Sequence, residues 1–238
     1  MLPHDTDVLI VGAGPTGLAL AVTLQQAGVA HVIVDRLAAG QNTSRAAVIH
    51  AHTLEVLEHI GVTDVLEQRG LPLTRFALRE HDKALLELDF SMLPSRYAQI
   101  LMIPQDETEA ILAQRLSSLG GTIYRGASAT TIEPDATGAV VHFDTPEGVK
   151  SIRARYVVGG DGMHSVVRSA AGITFDGETY SESFVLADVH MDWALSDEVS
   201  LFFSPEGMAV VAPLPGGRCR IVAPVEDAPE VPDVALVQ

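Results

Sequence analysis

Gly12-Ala13-Gly14-Pro15-Thr16-Gly17 sets three glycines at G-x-G-x-x-G spacing between a hydrophobic run and a helix-forming one, a context in which each glycine has a mechanical use. Gly12 permits a tight turn. Gly14 lets a pyrophosphate approach backbone that a Cβ would block, and Gly17 lets the helix pack against the strand. Pro15 and Thr16 fill the first helical turn, so Gly12, Gly14, Pro15, Thr16 and Gly17 form a candidate phosphate loop. Ala21 and Gly28 continue the pattern, and Asp35 closes the next hydrophobic run. Its carboxylate there accepts hydrogen bonds from ribose hydroxyls and repels a 2′-phosphate. The unit from Gly12 to Asp35 therefore reads as a dinucleotide-binding βαβ motif, compatible with NAD and FAD alike.

A second stretch, Arg155-Tyr156-Val157-Val158-Gly159-Gly160-Asp161-Gly162-Met163-His164-Ser165-Val166-Val167-Arg168, ends a buried run in a glycine-rich turn. Gly160 and Gly162 allow a sharp turn beside a cofactor, and Asp161 can accept from sugar hydroxyls or from neighbouring amides. Other chemistries lack their patterns. His50 and His52 are spaced i, i+2 without a metal-binding partner motif, and Ser165 and Ser169 stand in no G-x-S-x-G elbow. No metal site and no catalytic nucleophile are assigned. Cys219 is the single cysteine, so it forms no internal disulfide and reads as an inert core thiol.

The elements that must hold these residues follow from periodicity. Asp7 to Val11 reads as a strand, Pro15 to Ala27 as a helix and His31 to Asp35 as a strand, the order of a parallel βαβ unit. A helical period runs from His52 to Ile60 and stops at Gly61. Leu73 to Phe90 reads as two strands, and Pro104 opens a helix through Leu119 with Asp106, Glu107 and Glu109 at its positive end. Ala127 to Glu133, Ala139 to Asp144 and Val149 to Arg155 form a β-meander. A separate buried strand, Tyr156 to Val158, leads into a short helix from His164 to Ala171. From Phe184 onward strands dominate, with Val199 to Phe203, Met208 to Pro213 and Cys219 to Pro224 suited to an antiparallel sheet. Phe184, Trp193, Phe202, Phe203 and Met208 could line a ring-shaped pocket, but strand aromatics are packing residues in the first instance.

The whole chain sets outer bounds. Its 238 residues, 47% of them hydrophobic, can bury one sizeable core or two smaller ones. A net charge of −16 opposes nucleic acid and anionic membrane surfaces as partners. No apolar run approaches the roughly 20 residues of a membrane span, and the start lacks a basic secretory n-region, so a cytoplasmic location is expected. Oligomeric state is not legible.

The Asp161 stretch resembles the DG motif of the FAD-dependent aromatic hydroxylases related to para-hydroxybenzoate hydroxylase, in which a buried strand ends in Asp-Gly and leads to Ser-x-Val-Arg. The resemblance extends to Ser44-Arg45-Ala46-Ala47-Val48-Ile49-His50, to Met102-Ile103-Pro104-Gln105-Asp106-Glu107, and to Arg36 after Asp35. It implies that Arg45 lies near the flavin diphosphate, that Gln105 reaches the FAD at a helix start, and that Arg36 lies beside the adenosine. It also implies an α/β fold: an FAD/NAD(P)-binding Rossmann-like domain with a β-meander, residues 1–73 and 101–178, interleaved with an antiparallel-sheet substrate domain, residues 74–100 and 179–238. The expected cofactor is FAD, with NAD(P)H as co-substrate. The expected activity is O₂-dependent hydroxylation of a small phenolic or polyketide-like aromatic substrate through a flavin C4a-hydroperoxide. The family's later Gly-Asp-Ala-x-His segment has no counterpart here, so the substrate domain is expected to be incomplete and the chain to be an N-terminal part. Two alternatives stand beside this one: a non-catalytic fragment binding adenine nucleotide weakly, and an NAD-dependent dehydrogenase.

Overall fold

Apolar residues alternating in short runs make strands the main regular element among the described residues. The computed structural model describes residues 2–40, 46–178, 182–192, 194–205 and 207–225. In chain order the elements are β1 (Asp5–Val11), α1 (Pro15–Gln26), β2 (His31–Asp35), β3 (Val48–His50), α2 (Ala51–Glu58), α3 (Thr63–Arg69), β4 (Leu71–Leu73), β5 (Arg75–Glu80), β6 (Lys83–Asp89) and β7 (Ile100–Met102). They continue with α4 (Gln105–Ser118), β8 (Ile123–Arg125), β9 (Ser128–Asp135), β10 (Gly138–Thr145), β11 (Gly148–Gly159), α5 (Val166–Ala170), β12 (Ser183–His190), β13 (Glu198–Ser204), β14 (Gly207–Leu214) and β15 (Arg218–Val225). Two compact units result. The first comprises Met1–Ser44, Ile60–Val62 and Gln105–Asp176, and the second Arg45–His59, Thr63–Pro104 and Gly177–Gln238. Residues 46–59 and 63–73 group with the second unit.

The first unit is built on a six-stranded sheet of order β8-β2-β1-β11-β10-β9. The first four strands run parallel and the last two antiparallel. Leu9, Val11, Val32 and Val34 from the parallel part meet Val141, Phe143, Ile152 and Ala154 from the meander in one buried cluster. Ile10 points to the other side, toward α1, which packs along α4. Helix α4 starts immediately after Pro104, with Asp106 and Glu107 in its first turn and Arg115 in its last, a charge order matched to its dipole.

One expectation changes here. Val149 to Arg155 and Tyr156 to Val158 are not two strands but one, β11, of 12 residues. No glycine or proline interrupts the run, so it pairs antiparallel with β10 up to Ala154 and parallel with β1 from Arg153 to Gly159. Helix α5 begins at Val166 instead of His164, because Ser165 caps it: its Oγ accepts from Arg168 N at 2.9 Å.

In the second unit a six-stranded sheet has the order β12-β15-β14-β13-β5-β6, antiparallel except where β13 runs parallel to β5. A small antiparallel sheet, β3-β7-β4, belongs to the same unit. Ala47, Leu73, Ile100 and Met102 pack with Val199, Ala212 and Leu214 in its core. The strand aromatics depart from the packing expectation. Phe184, Phe203 and Met208 are 52%, 42% and 37% exposed, and the strand register sets all three on one face of the larger sheet. Phe202, next along β13, takes the opposite face. Trp193 lies outside the described residues.

Candidate dinucleotide-binding junction

Strand register builds this site. Val11 at the end of β1 pairs with Gly159 at the end of β11 and with Val34 near the end of β2, so the glycine loop, the Asp-Gly turn and Asp35 leave the sheet side by side. Two backbone bonds fasten the strand ends: Gly12 N donates to Val34 O at 2.8 Å, and Gly160 N donates to Val11 O at 2.7 Å.

The glycines are required for different reasons. Gly12 has φ +103°, and a Cβ there would lie 2.3 Å from Gly160 O. At Gly17 a Cβ would fall 1.9 Å from Gly12 O and 3.3 Å from Ile10 Cγ2, so this residue lets α1 approach both the loop and the strand. Gly160 does not take the left-handed conformation expected of a turn residue. Its Cβ would instead meet Gly17 Cα and N at 3.3 Å, which makes it a contact surface for the other two. Gly162, at φ +79°, supplies the turn. At Gly14 an added Cβ would meet no atom of the described residues within 4 Å. The three closely packed glycines thus shape the loop, and the fourth leaves its outer side open.

What faces that opening is the N-terminus of α1. Gly14 is its N-cap without a side-chain cap, Pro15 follows, Thr16 is exposed, and the first turn holds no acidic residue. The first free amides of a helix attract anions, and nothing on α1 itself competes for them. Helix α4 is the contrast. Asp106 and Glu107 occupy its first turn, and Asp106 Oδ1 is buried without a partner, which makes that terminus hostile to phosphate.

Asp35 is half-buried at the end of β2. Its Oδ2 accepts from Ala13 N at 2.7 Å and its Oδ1 from Leu37 N at 2.8 Å. The carboxylate therefore locks the glycine loop to the second strand, and each oxygen keeps a further lone pair for a hydroxyl donor. Arg36, next in the chain, is exposed. Asp161 turns inward. Its Oδ1 accepts from Ser165 Oγ at 2.6 Å and its Oδ2 from Val166 N at 2.7 Å and Val167 N at 3.3 Å. Of the two uses open to it, sugar or neighbouring amides, the amides of α5 take it here, and the turn is held rigid against Gly12.

Gln105 opens α4, and its Nε2 donates to Glu109 Oε1 at 2.9 Å. Gly40, on the segment that follows Asp35, runs past the same glutamate: a Cβ on it would lie 3.6 Å from Glu109 Oε2. Arg45 lies outside the described residues. Sequence reasoning missed the roles of Ala13, whose amide Asp35 holds, and of Ser165, which links Asp161 to the helix. The Ser three residues before Arg168 was a legible N-cap signal; Ala13 carried none. Among the described residues no group of three His, Cys, Asp or Glu side chains converges as a metal site, and no helix is long and apolar enough to cross a membrane.

Residues 5–232 match the family described as FAD binding domain. Pentachlorophenol 4-monooxygenase of Sphingobium chlorophenolicum is 34% identical over 224 residues, 92% of this chain and 42% of that protein. The 12-dehydrotetracycline 5-monooxygenase/anhydrotetracycline 6-monooxygenase of Streptomyces rimosus is 39% identical over 184 residues, 76% of this chain and 36% of its own. The crystal structure of p-nitrophenol 4-monooxygenase PnpA from Pseudomonas putida superposes with a TM-score of 0.89 at 26% identity, covering 99% of this chain and 61% of that one. The chain thus spans less than half the length of these two curated relatives.

Proposed function

The chain belongs to the FAD-binding domain family, and from that premise we propose that it serves the FAD-dependent, NAD(P)H- and O₂-consuming hydroxylation of an aromatic substrate, phenolic or polyketide-like. The relatives' activities on chlorinated phenol, nitrophenol and tetracycline precursors support the substrate class. The observation that carries the cofactor half is the junction of Gly12, Gly17 and Gly160, which leaves Gly14 and the α1 terminus open to a diphosphate.

The residues present fit that group. The Thr16 and Gly17 amides would face the diphosphate, Gly14 leaves open the space through which it would approach, and Pro15 fixes the backbone entering the helix. Asp35 would accept from the ribose through the lone pairs its backbone donors leave. Arg36 and Arg45 would add positive charge at the adenosine and diphosphate, and Gln105 would reach the cofactor from the start of α4. Asp161 would hold its turn through Ser165 and the α5 amides, while its Oδ1 keeps a lone pair for a sugar hydroxyl. Bound FAD would supply the redox chemistry; the protein would position the ring and exclude water. Residues 1–73 and 101–178 would carry the cofactor, residues 74–100 and 179–238 the substrate, in a cytoplasmic enzyme.

The test is a titration with FAD followed by NAD(P)H oxidation with and without a phenol. Saturable FAD binding and phenol-stimulated oxidation of the pyridine nucleotide are expected. A chain that ignores FAD at every concentration, or that passes hydride to a substrate without flavin, refutes the reading.

A further inference from the structure

Helix α4 passes the segment that leaves Asp35, and its first turn is rich in acceptors. Asp106 and Glu107 stand there, and Asp106 Oδ1 is buried without a partner among the described residues. One turn further on, Glu109 Oε1 accepts from Gln105 Nε2 at 2.9 Å, the neighbour relation of residues four apart on a helix. Glu109 is half-buried, and a Cβ on Gly40 would lie 3.6 Å from its Oε2. The carboxylate thus has one oxygen on Gln105 and the other toward the chain leaving β2.

This bond decides what Gln105 offers to a ligand. A carboxylate accepts and never donates, so the amide must turn its NH2 group to Glu109; the flipped amide would set oxygen against oxygen. Gln105 Oε1 then points away from Glu109, with two lone pairs, more than a single donor uses. A phosphate oxygen is itself an acceptor, and the charges of Asp106 and Glu107 repel it. The start of α4 therefore suits hydroxyl donors, the reverse of the α1 terminus, whose first turn holds no acidic residue. FAD carries both chemistries side by side, a diphosphate and the hydroxyls of its ribityl chain.

We propose that Glu109 is a positioning residue for the cofactor: it holds the Gln105 side chain ready in one rotamer and one sense, so that Gln105 Oε1 accepts from a ribityl hydroxyl while the diphosphate stays at α1. The proposal rests on the reading of the first unit as an FAD site, and it adds the residue that decides which part of FAD meets α4.

The test uses the full chain and two ligands, FAD and an FAD analogue whose ribityl chain carries hydrogen in place of its hydroxyls, each titrated by flavin fluorescence. The quantity read is the preference for FAD over the analogue, in which effects common to both ligands cancel. Glu109→Ala leaves a good helix former in α4 but releases Gln105, which must then be ordered when the ligand binds. The preference is expected to fall about fivefold, the cost of immobilising one long side chain. Glu109→Gln also removes the charge but can still accept from Gln105, so it should stay within about twofold of the wild type. In a Gln105→Leu background neither change should move the preference, since the side chain being positioned is gone. Differential scanning fluorimetry on the same samples reports folding.

An unchanged preference in folded Glu109→Ala, an equal fall in Glu109→Gln, or the same fall without Gln105 overturns the proposal. Wild-type protein that binds FAD and the analogue equally overturns it too, and leaves the cofactor reading standing. If neither ligand binds, the cofactor reading falls and this proposal with it.

Discussion

Replacing Gly14 and Gly17 with alanine separates folding from cofactor binding, because the two glycines differ in what surrounds them. At Gly14 an added methyl meets no described atom within 4 Å, and the backbone sits at φ −74° and ψ −179°, which any residue adopts. Alanine is a poorer N-cap than glycine by up to about 1 kcal/mol, but it lowers the entropy of the unfolded chain by about 0.4–1 kcal/mol. The two effects nearly cancel, so Tm should move by no more than about 4 °C. At Gly17 the methyl falls 1.9 Å from a backbone oxygen, which no rotamer change relieves. A cost of at least about 3 kcal/mol, and a Tm lower by about 6–12 °C, is expected. FAD affinity should fall in both, for opposite reasons. In Gly14→Ala the methyl occupies the diphosphate's approach, and loss of one charge-assisted hydrogen bond weakens binding by roughly 10- to 150-fold in an otherwise native protein. Fluorescence titration with FAD and differential scanning fluorimetry on the same samples supply both readouts. A Gly14→Ala protein that binds FAD like the wild type would remove the α1 terminus as the diphosphate site, and an unshifted Tm in Gly17→Ala would refute the packing argument.

Further outcomes follow from the hydrogen-bond networks. Asp161→Ala should cost about 1–3 kcal/mol by uncapping α5, seen as faster hydrogen exchange at Val166 and Val167 and a weaker FAD titration. Asp135 is held well below the ordinary aspartate range, chiefly by the Arg153 guanidinium and then by the Thr137 amide and hydroxyl. A lowered folded value stabilises the protein above the unfolded value of ~4 and loses that contribution as pH falls below it. Asp135→Asn should therefore lower Tm at neutral pH, with the gap closing in acid; a gap constant down to strongly acid pH would contradict this. Glu198→Ala strands the buried Arg79 and should cost about 3–5 kcal/mol in urea unfolding, while Glu198→Leu combined with Arg79→Met should recover most of it. Burial pushes the Cys219 thiol up, so a disulfide reagent should modify it only after denaturation; fast native labelling would contradict its burial.

The parts of the fold that rest on local chemistry were legible. Glycine spacing, the proline before α4, the periodicity of α1 and the turn residues of the meander each act over a few neighbours, and β1, α1, β2, α4, β9 and β10 follow from them. Three-residue strands such as β3, β4, β7 and β8 were not read, because they exist only through partners far along the chain. The union of two strands into β11 was missed for the same reason: one continuous apolar run carries no mark of where its partner changes. In the candidate site, residue types pointed to the loop, but which glycine turns and which merely lets another approach is decided in three dimensions. Gly160 read as a turn and proved a contact. Phe184 and Phe203 read as packing, yet alternation alone does not say whether a face is covered.

The length of β11 has a consequence for how this sequence can change. One end of the strand is set by seven pairings with β10 and the other by six with β1, so the distance from the Gly148 turn to Asp161 is a counted quantity. Insertions in the turns at Asp135–Gly138 or Thr145–Gly148 leave that count alone. Loss of a single residue between Ser151 and Val158 would reverse which side chains face inward and withdraw the Asp-Gly turn by about 3.3 Å from Gly12. A scan of one-residue deletions along the strand and the turn before it should therefore abolish nucleotide binding throughout the strand's interior and spare it at the Thr145–Gly148 turn.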